Sequence, residues 1–352
     1  MNPAPYELLC RHPGLFGESP LVVGTGANMP SEWIQLMRQH DGRLCTWDWM
    51  THTQAQAAGV NSQFGIPGLD ATQFPEPPAT AILLWPKSKE LALLMTRYLS
   101  SLVQRLWIVG ANDAGGKSIG NACKRLDIPT SKVDAARHCS LWQADLHPDA
   151  DQAAATDAIW DQSSKRFKAN ELEFLSYPGV FSHGQLDKGT ALFLEVLSRE
   201  LKNRPDRILD LGCGTGVIGL TLKQRFEQAS ITLADTDAIA LHATRQNIQR
   251  LVPKTADIQV TASDRFSGIS GRYQLIVTNP PFHTGTDTDY RFALDLFSKS
   301  KQHLTLHGQL WIVANRHLPY EEWATDYFGS GNVTLHQQAA GFKVLQINVS
   351  HQ

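Results

Sequence analysis

The chain has 352 residues, 42 % of them hydrophobic and 19 % charged, and a formal net charge of −2. That length suggests about two domains, each large enough to bury a core, and the composition is that of a globular chain with no apolar run able to cross a bilayer. Near-neutral charge does not advertise a nucleic-acid partner, so any such surface has to be argued from a local patch.

The N-terminal stretch "MNPAPYELLCRHPG" lacks the apolar region of a signal peptide. Five cysteines, Cys10, Cys45, Cys123, Cys139 and Cys213, are scattered without C-x-x-C spacing. That argues against a disulfide framework and a zinc site and fits a reducing cytoplasm. His138, His183, His283 and His317 never fall in metal-ligand spacing either, so no metal is expected.

Along the N-terminal half, "LLWPKSK" (Leu83 to Lys89) precedes a helix-like run containing "LMTRYLSSL". Strand-like "RLWIVGAN" (Arg105 to Asn112) and "CSLWQADL" (Cys139 to Leu146) follow. "GANDAGGKS" (Gly110 to Ser118) approaches a phosphate-binding loop, but five residues rather than four separate Gly110 from the Gly116-Lys117 pair, which sets nucleotide hydrolysis aside. Pro148 to Lys168 is polar, alanine-rich and poor in core residues, which places a domain boundary near residue 160. The predicted domains are therefore 1–160 and 161–352.

From Ile208 onward short apolar runs alternate with amphipathic ones: "RILDLG", "VIGLTLKQRF", "SITLAD", "AIALHATRQNIQRL", "IQVTAS", "YQLIVTN", "FALDLFSKSKQHL", "GQLWIVAN". Strand followed by helix, repeated, predicts an α/β domain with a mainly parallel sheet. "NVTLHQQAAG" and "FKVLQINVS" lie too close together for a crossover helix and predict an antiparallel hairpin at the sheet's end. "QLWIVANR" and "FKVLQINV" echo "RLWIVGAN" and "CSLWQADL" in order and spacing, and "VTNPPF" falls where "LLWPKSK" falls in the first half. Two tandem copies of one Rossmann-like fold are expected. The N-terminal one is degenerate, without the glycine-rich turn or the Asn-Pro-Pro-Phe edge.

"LDLGCGTGVIG" (Leu209 to Gly219) places Gly212, Gly214, Gly216 and Gly219 between a strand and a helix. Glycines there permit a tight turn and close backbone approach to a ligand. An acid two residues before the first glycine, Asp210, would repel a pyrophosphate and welcome a ligand with an amino or sulfonium group. Asp235 ends the next strand, where a carboxylate accepts ribose hydroxyls or caps a helix, Asp237 being the better cap. Asp264, after the third strand, is placed to accept from an adenine amino group or to close a turn. In "QLIVTNPPF" (Gln274 to Phe282) two prolines stiffen the end of a buried strand and display the Asn279 amide, the backbone carbonyls and the Phe282 ring.

The order "DLGCGTG", Asp235, Asp264 and "NPPF" resembles the class I S-adenosylmethionine-dependent methyltransferases that modify amino groups conjugated to a planar system. More narrowly, "YPGVFSHGQLDKGTALFLEVL", "NPPFHTGTD", "IVANRHLPY" and "GFKVL" resemble the ribosomal RNA small-subunit guanine-N2 methyltransferase C family. The similarity is strong over about residues 175–350 and looser before. It implies S-adenosyl-L-methionine as cofactor and guanine N2 of small-subunit ribosomal RNA as target, free or within a ribosomal particle. It also implies a cytoplasmic location and a catalytically silent N-terminal domain that docks RNA or supports its neighbour.

On this reading Asp210, Gly212, Gly214, Gly216, Asp235 and Asp264 bind the cofactor. Phe181 and Asp187, in "GVFSHGQLD", are further cofactor-side candidates, with packing and N-capping as their plainer roles. Asn279, Pro280, Pro281 and Phe282 form the catalytic edge. The side-chain oxygen of Asn279 and the carbonyl of Pro280 accept the two amine hydrogens and bias the nitrogen toward pyramidal geometry, while Phe282 stacks on the base. Adenine N6 or a glutamine amide satisfies the same edge, and a non-catalytic RNA-binding assembly factor with a vestigial pocket is the alternative outside enzymes. Lys87, Lys89, Lys117, Lys124, Arg125, Lys132 and Arg137 make the N-terminal half locally basic. Of these, Lys87, Lys117 and Arg137, near strand-end loops, are the RNA-docking candidates, a solvated face being the plainer reading.

Overall fold

Strands covered by helices on both faces must be apolar along nearly their whole length, and the short runs of the sequence become such strands in a computed structural model. The structure describes residues 3–17, 19–26, 28–69, 78–147, 158–254, 256–281 and 286–349. The chain divides into two compact units, Met1–Ser164 with Tyr177–Gly179, and Lys165–Ser176 with Val180–Gln352.

The first unit runs α1 (Ala4–Cys10), β1 (Leu21–Val23), α2 (Ser31–Gln39), β2 (Arg43–Thr46), α3 (Trp49–Ala57), β3 (Asn61–Phe64), β4 (Thr80–Leu84), α4 (Lys89–Ser100), β5 (Arg105–Ala111), α5 (Ile119–Arg125), β6 (Ser131–Ala136), β7 (Cys139–Asp145) and α6 (Ile159–Ser163). Its sheet has the order β3-β2-β1-β4-β5-β7-β6, parallel from β3 to β5 and antiparallel at β5–β7 and β6–β7.

The second unit opens with the hairpin β8 (Lys165–Ala169) and β9 (Leu172–Ser176). It continues through α7 (Lys188–Glu200), β10 (Arg207–Leu211), α8 (Val217–Arg225), β11 (Ser230–Asp235), α9 (Ala238–Leu251), β12 (Ile258–Ala262), β13 (Tyr273–Thr278), α10 (Thr286–His303), β14 (Leu304–Asn315), α11 (Tyr320–Phe328), β15 (Val333–Ala339) and β16 (Phe342–Asn348). The order β12-β11-β10-β13-β14-β16-β15 repeats the first sheet strand for strand, with β14–β16 and β15–β16 antiparallel. Ile208, Leu209, Ile231, Leu233, Ile276, Val277, Ile312 and Val313 are wholly buried, so the central strands carry the core on both faces.

Two readings need correction. The stretch read as poor in core residues lies partly outside the described residues, at 148–157, but its remainder supplies core: Ile159 and Trp160 of α6 are buried, and the Trp160 indole N–H donates to the Pro67 carbonyl at 3.2 Å. Two large apolar residues outweigh the polar composition around them. The first unit also keeps a glycine turn, Gly24-Thr25-Gly26, directly after β1, which its three-residue strand made inconspicuous. Among the described residues no helix is long and apolar enough to cross a membrane.

Candidate active site

Strand order in the second unit reverses between β10 and β13, and open α/β sheets bind ligands in the crevice outside the carboxyl ends of strands at such a point. Leu211 and Thr278 are register partners, and the Thr278 hydroxyl donates to the Leu211 carbonyl at 2.7 Å. The glycine turn and the Asn279 edge therefore leave the sheet side by side.

Gly212, Gly214 and Gly216 have φ of 75°, 56° and 83°, a conformation that disfavours any Cβ. Around the Gly214 Cα the space is open: a Cβ built there meets nothing within 4 Å. Helix α9 pins the turn from below. Its Thr244 hydroxyl donates to the Gly214 carbonyl at 2.8 Å, and the Asn247 amide donates to Thr215 O at 3.0 Å and Leu175 O at 2.9 Å while accepting from Leu175 N at 2.8 Å. Both side chains are fully buried. The sequence reading overlooked them; the available signal was a pair of polar residues three apart on the apolar face of an amphipathic helix.

Asp210 is wholly buried beneath the turn. Its Oδ2 accepts from Gly219 N at 2.8 Å, in the first turn of α8, whereas Oδ1 is buried without a hydrogen-bond partner. Desolvation pushes the carboxyl up to about 7, the Asp235 charge adds to that, and the Gly219 N–H opposes it. An ionised group with an unfilled acceptor position favours a cation nearby. Asp235 ends β11 with Oδ2 accepting from Gly214 N at 2.8 Å and Oδ1 from Asp237 N at 3.0 Å, and burial raises its pKa as well. Asp237 caps α9, accepting from Ile239 N at 2.7 Å. The Cys213 thiol within the turn is pushed well above its ordinary range by desolvation and then by Asp235 and Asp210, so it stays protonated and is no nucleophile.

The Asn279 amide is held from the other side by the start of α7. Its Nδ2 donates to Thr190 Oγ1 at 3.0 Å and to Asp187 Oδ2 at 3.3 Å, and the same Asp187 oxygen caps α7 by accepting from Thr190 N at 2.9 Å. Both amide hydrogens are thereby committed, and Oδ1 is left buried with no partner. Asp187 thus sits against the edge motif as the helix cap that orients Asn279. Gly189 allows this approach from the sheet side too, because a Cβ there would come within 2.8 Å of the Phe342 ring that opens β16.

The first unit shows the same turn closed. A Cβ on Gly26 would fall 2.1 Å from the Tyr6 hydroxyl, which donates to the Gly26 carbonyl at 2.9 Å, so α1 fills the space above the turn. By register, Val22 stands where Asp210 stands and Thr46 where Asp235 stands, and Leu84, the last residue of β4, stands where Asn279 follows β13. The Thr46 hydroxyl accepts from Asp48 N at 3.2 Å, keeping the loop geometry without the charge.

Residues 171–346 match the family model "Methyltransferase small domain", and residues 6–162 match "Methyltransferase small domain N-terminal". The ribosomal RNA small subunit methyltransferase C of Pseudomonas entomophila (strain L48) is 35 % identical over 346 residues, 96 % of this chain and 97 % of that protein. The chain belongs to the ribosomal RNA small subunit methyltransferase C family. Another member, from Actinobacillus pleuropneumoniae serotype 7 (strain AP76), is 38 % identical over 258 residues, covering 72 % of this chain and 74 % of that protein. In fold, the chain is similar to a solved T. thermophilus 16S rRNA N2 G1207 methyltransferase in complex with AdoMet and guanosine. The TM-score is 0.79 at 21 % identity, over 98 % of this chain and 91 % of that chain.

Other predicted residues of this family member fall less centrally. Asp264 lies two residues beyond β12, and Arg265 grips it through Nε to Oδ1 at 3.2 Å and Nη2 to Oδ2 at 3.1 Å while also reaching Asp295 at 2.7 Å. Each carboxylate oxygen keeps a further lone pair for a donor. Phe181, in the turn before α7, is 64 % exposed and is not a packing residue. Pro280 is buried and Pro281 exposed, while Phe282 lies outside the described residues. Lys87 and Lys117 follow β4 and β5, and Arg137 turns the β6–β7 hairpin at the same carboxyl end of the first sheet. Arg137 is ion-paired to Glu7 at 2.6 Å, which spends part of its charge. Among the described residues no group of His, Cys, Asp or Glu could hold a metal ion.

Proposed function

We propose that the chain transfers a methyl group from S-adenosyl-L-methionine to the exocyclic N2 of a guanine in small-subunit (16S) ribosomal RNA, the reading that its family and the geometry of the second unit support together. One observation carries the chemistry: the Asn279 amide is clamped with both hydrogens committed, so only a buried, unpartnered acceptor is offered at the edge of the crevice. That arrangement selects a hydrogen-bond donor such as an aromatic amine. The donor pocket fits its ligand on independent grounds, since the unfilled Asp210 Oδ1 and the Asp235 carboxylate surround an open glycine turn. Asp235 would take the ribose hydroxyls, and Asp210 supplies negative potential beneath a cationic centre.

When bound, S-adenosyl-L-methionine supplies a methyl carbon activated by its sulfonium. The residues of the chain do the rest by positioning. An exocyclic amine on a purine is a poor nucleophile because its lone pair is delocalised into the ring. Asn279 Oδ1 and the Pro280 carbonyl accept its hydrogens and draw it toward pyramidal geometry, and the prolines hold these acceptors still. The thiol and the buried carboxylates form no covalent link to substrate. A base within paired RNA must leave its stack to reach the edge. The first unit, whose own crevice is filled by Tyr6 and has no counterpart of Asp210 or Asp235, serves to dock RNA, and five buried free cysteines suit a reducing cytoplasm. Whether free RNA or a ribosomal particle is preferred follows from the same assay: the protein is incubated with labelled methyl donor and either substrate, and the digested nucleosides are identified by mass spectrometry. N2-methylguanosine is expected, and label in adenosine or in protein instead would overturn the assignment.

A further inference from the structure

The first unit carries a groove of about 570 Å³ lined by Lys117, Asn121, Lys124, Thr130 and Trp142, none of which closes its crevice. The groove runs along α5 beside β7 and the edge strand β6. Trp142 is fixed there as a platform: its indole N–H donates to Ser140 Oγ at 3.2 Å, and Ser140 in turn donates to the Gly116 carbonyl at 2.9 Å. The absence of a side chain at Gly120 lets α5 lie against the ring, since a Cβ would come within 2.5 Å of its Cη2. The ring nevertheless remains half-buried rather than covered.

Lys117 and Lys124 are exposed and have no ion-pair partner among the described residues, in contrast to Arg11, Arg105 and Arg137 of the same unit, which are paired with carboxylates. Lys132, directly opposite Trp142 in the β6–β7 ladder, adds a third exposed cation, against Asp127 as the one acid lining the groove. A rigid indole flanked by unpaired lysines, in a cavity of nucleotide size, is the combination that binds single-stranded nucleic acid: π-stacking for a base, point charges for the phosphates on either side.

We propose that this groove docks one nucleotide of a single-stranded RNA segment, its base against Trp142 and its flanking phosphates on Lys117 and Lys124. The inference rests on the reading of the protein as an RNA methyltransferase and gives its first unit a specific footprint. Asn121 and Thr130 supply polar contacts to ribose or base edges, and no charged residue other than Asp127 lines the groove to oppose the phosphates.

The test uses the full chain, a fluorescently labelled unstructured RNA oligonucleotide and a salt series, with methyl transfer and S-adenosylmethionine affinity measured in parallel. K117E/K124E should weaken oligonucleotide binding at least about tenfold and flatten the slope of log K against log salt by about 1.4, as for two lost single-strand phosphate contacts. Trp142→Leu, with folding checked by thermal melting, should weaken binding about five- to hundredfold with the slope retained. Donor affinity should be unchanged in both. Unaltered affinity and slope in K117E/K124E, while the unmutated protein still methylates RNA, overturns the groove and leaves the enzymatic reading standing. Loss of oligonucleotide binding in the variants of a protein that methylates no RNA would support the groove and sink the enzymatic reading. Binding of an acidic peptide in place of RNA, abolished by the same changes, would also overturn it.

Discussion

Asp210 offers the sharpest test of the donor pocket because its titration is shifted into an accessible range. The carboxyl is wholly buried and pushed up to about 7 by desolvation. A cationic ligand binds the ionised form, so affinity follows the ionised fraction of the free protein. Between pH 7.0 and 5.5 that fraction falls from about one half to a few per cent, which weakens binding by about an order of magnitude. The window lies below the ordinary α-amino range of about 7.7–8.0, so the ligand's own charge stays constant. Stability of the unliganded protein moves the opposite way. The unfolded aspartate ionises near its ordinary value, about 3.9, while the native one keeps its proton until about 7. Stability is therefore lost as pH rises through that interval, by about 4 kcal/mol in total, and the loss is complete above it. Calorimetry with S-adenosylmethionine across the window, with thermal melts of the free protein, measures both slopes. Asp210→Asn should reduce them to what Asp235, itself raised, retains, and should bind the donor about 1.5–3 kcal/mol more weakly at neutral pH. A variant with undiminished pH dependence, or a native protein whose affinity is flat between these values, would refute the reasoning.

Thr190→Val removes the 3.0 Å bond to the Asn279 amide and should lower kcat about fivefold with donor affinity unchanged, the loss of one neutral hydrogen bond of about 1 kcal/mol; a change in donor affinity alone would place Thr190 elsewhere. Asp187→Asn weakens both the helix cap and the clamp, so melting should report about 1 kcal/mol of lost stability together with a larger fall in kcat. Asn247→Ala strips three hydrogen bonds from a fully buried site, which chemical denaturation should register as about 2–4 kcal/mol. Tyr6→Ala should cost about 3–5 kcal/mol by opening a cavity, yet calorimetry should still count one donor per chain, because Val22 and Thr46 give the opened crevice no charge.

How much of this site could be read without coordinates depended on whether a residue's task is imposed by its own backbone. The glycines at 212, 214 and 216 and the Asn279-Pro280-Pro281 edge break strands with residue types that only a special turn requires, so they are visible in the sequence. Asp210 and Asp235 are visible because an acid at the end of an apolar run is out of place unless a ligand or a turn wants it. The clamp on Asn279 is different: it joins side chains 92 and 89 residues apart, and "QLDKGT" by itself announces no more than a helix cap. Thr244 and Asn247 are likewise meaningful only once α9 is laid under the glycine turn. Trp160 was hidden by the polar and alanine-rich residues around it, since composition averages over the one residue that decides burial.

The two sheets share one strand order, so topology alone does not account for the difference between an open crevice and a closed one. Both units keep glycines where β1 and β10 end, and both retain a hydrogen bond from that turn to the neighbouring strand, Gly24 N to Cys45 O at 3.1 Å and Gly212 N to Ala234 O at 2.8 Å. What separates them is charge and one helix. Replacing a buried carboxylate with Val22 removes the desolvation cost that Asp210 imposes, and Tyr6, packed at 4.8 Å against the Trp33 ring, fills the volume with apolar contact. The closed unit gains core where the open one holds a carboxylate that is costly until a cation arrives. One copy thus keeps the crevice proposed for the methyl donor electrostatically strained at neutral pH, and the other has its own crevice closed by apolar packing.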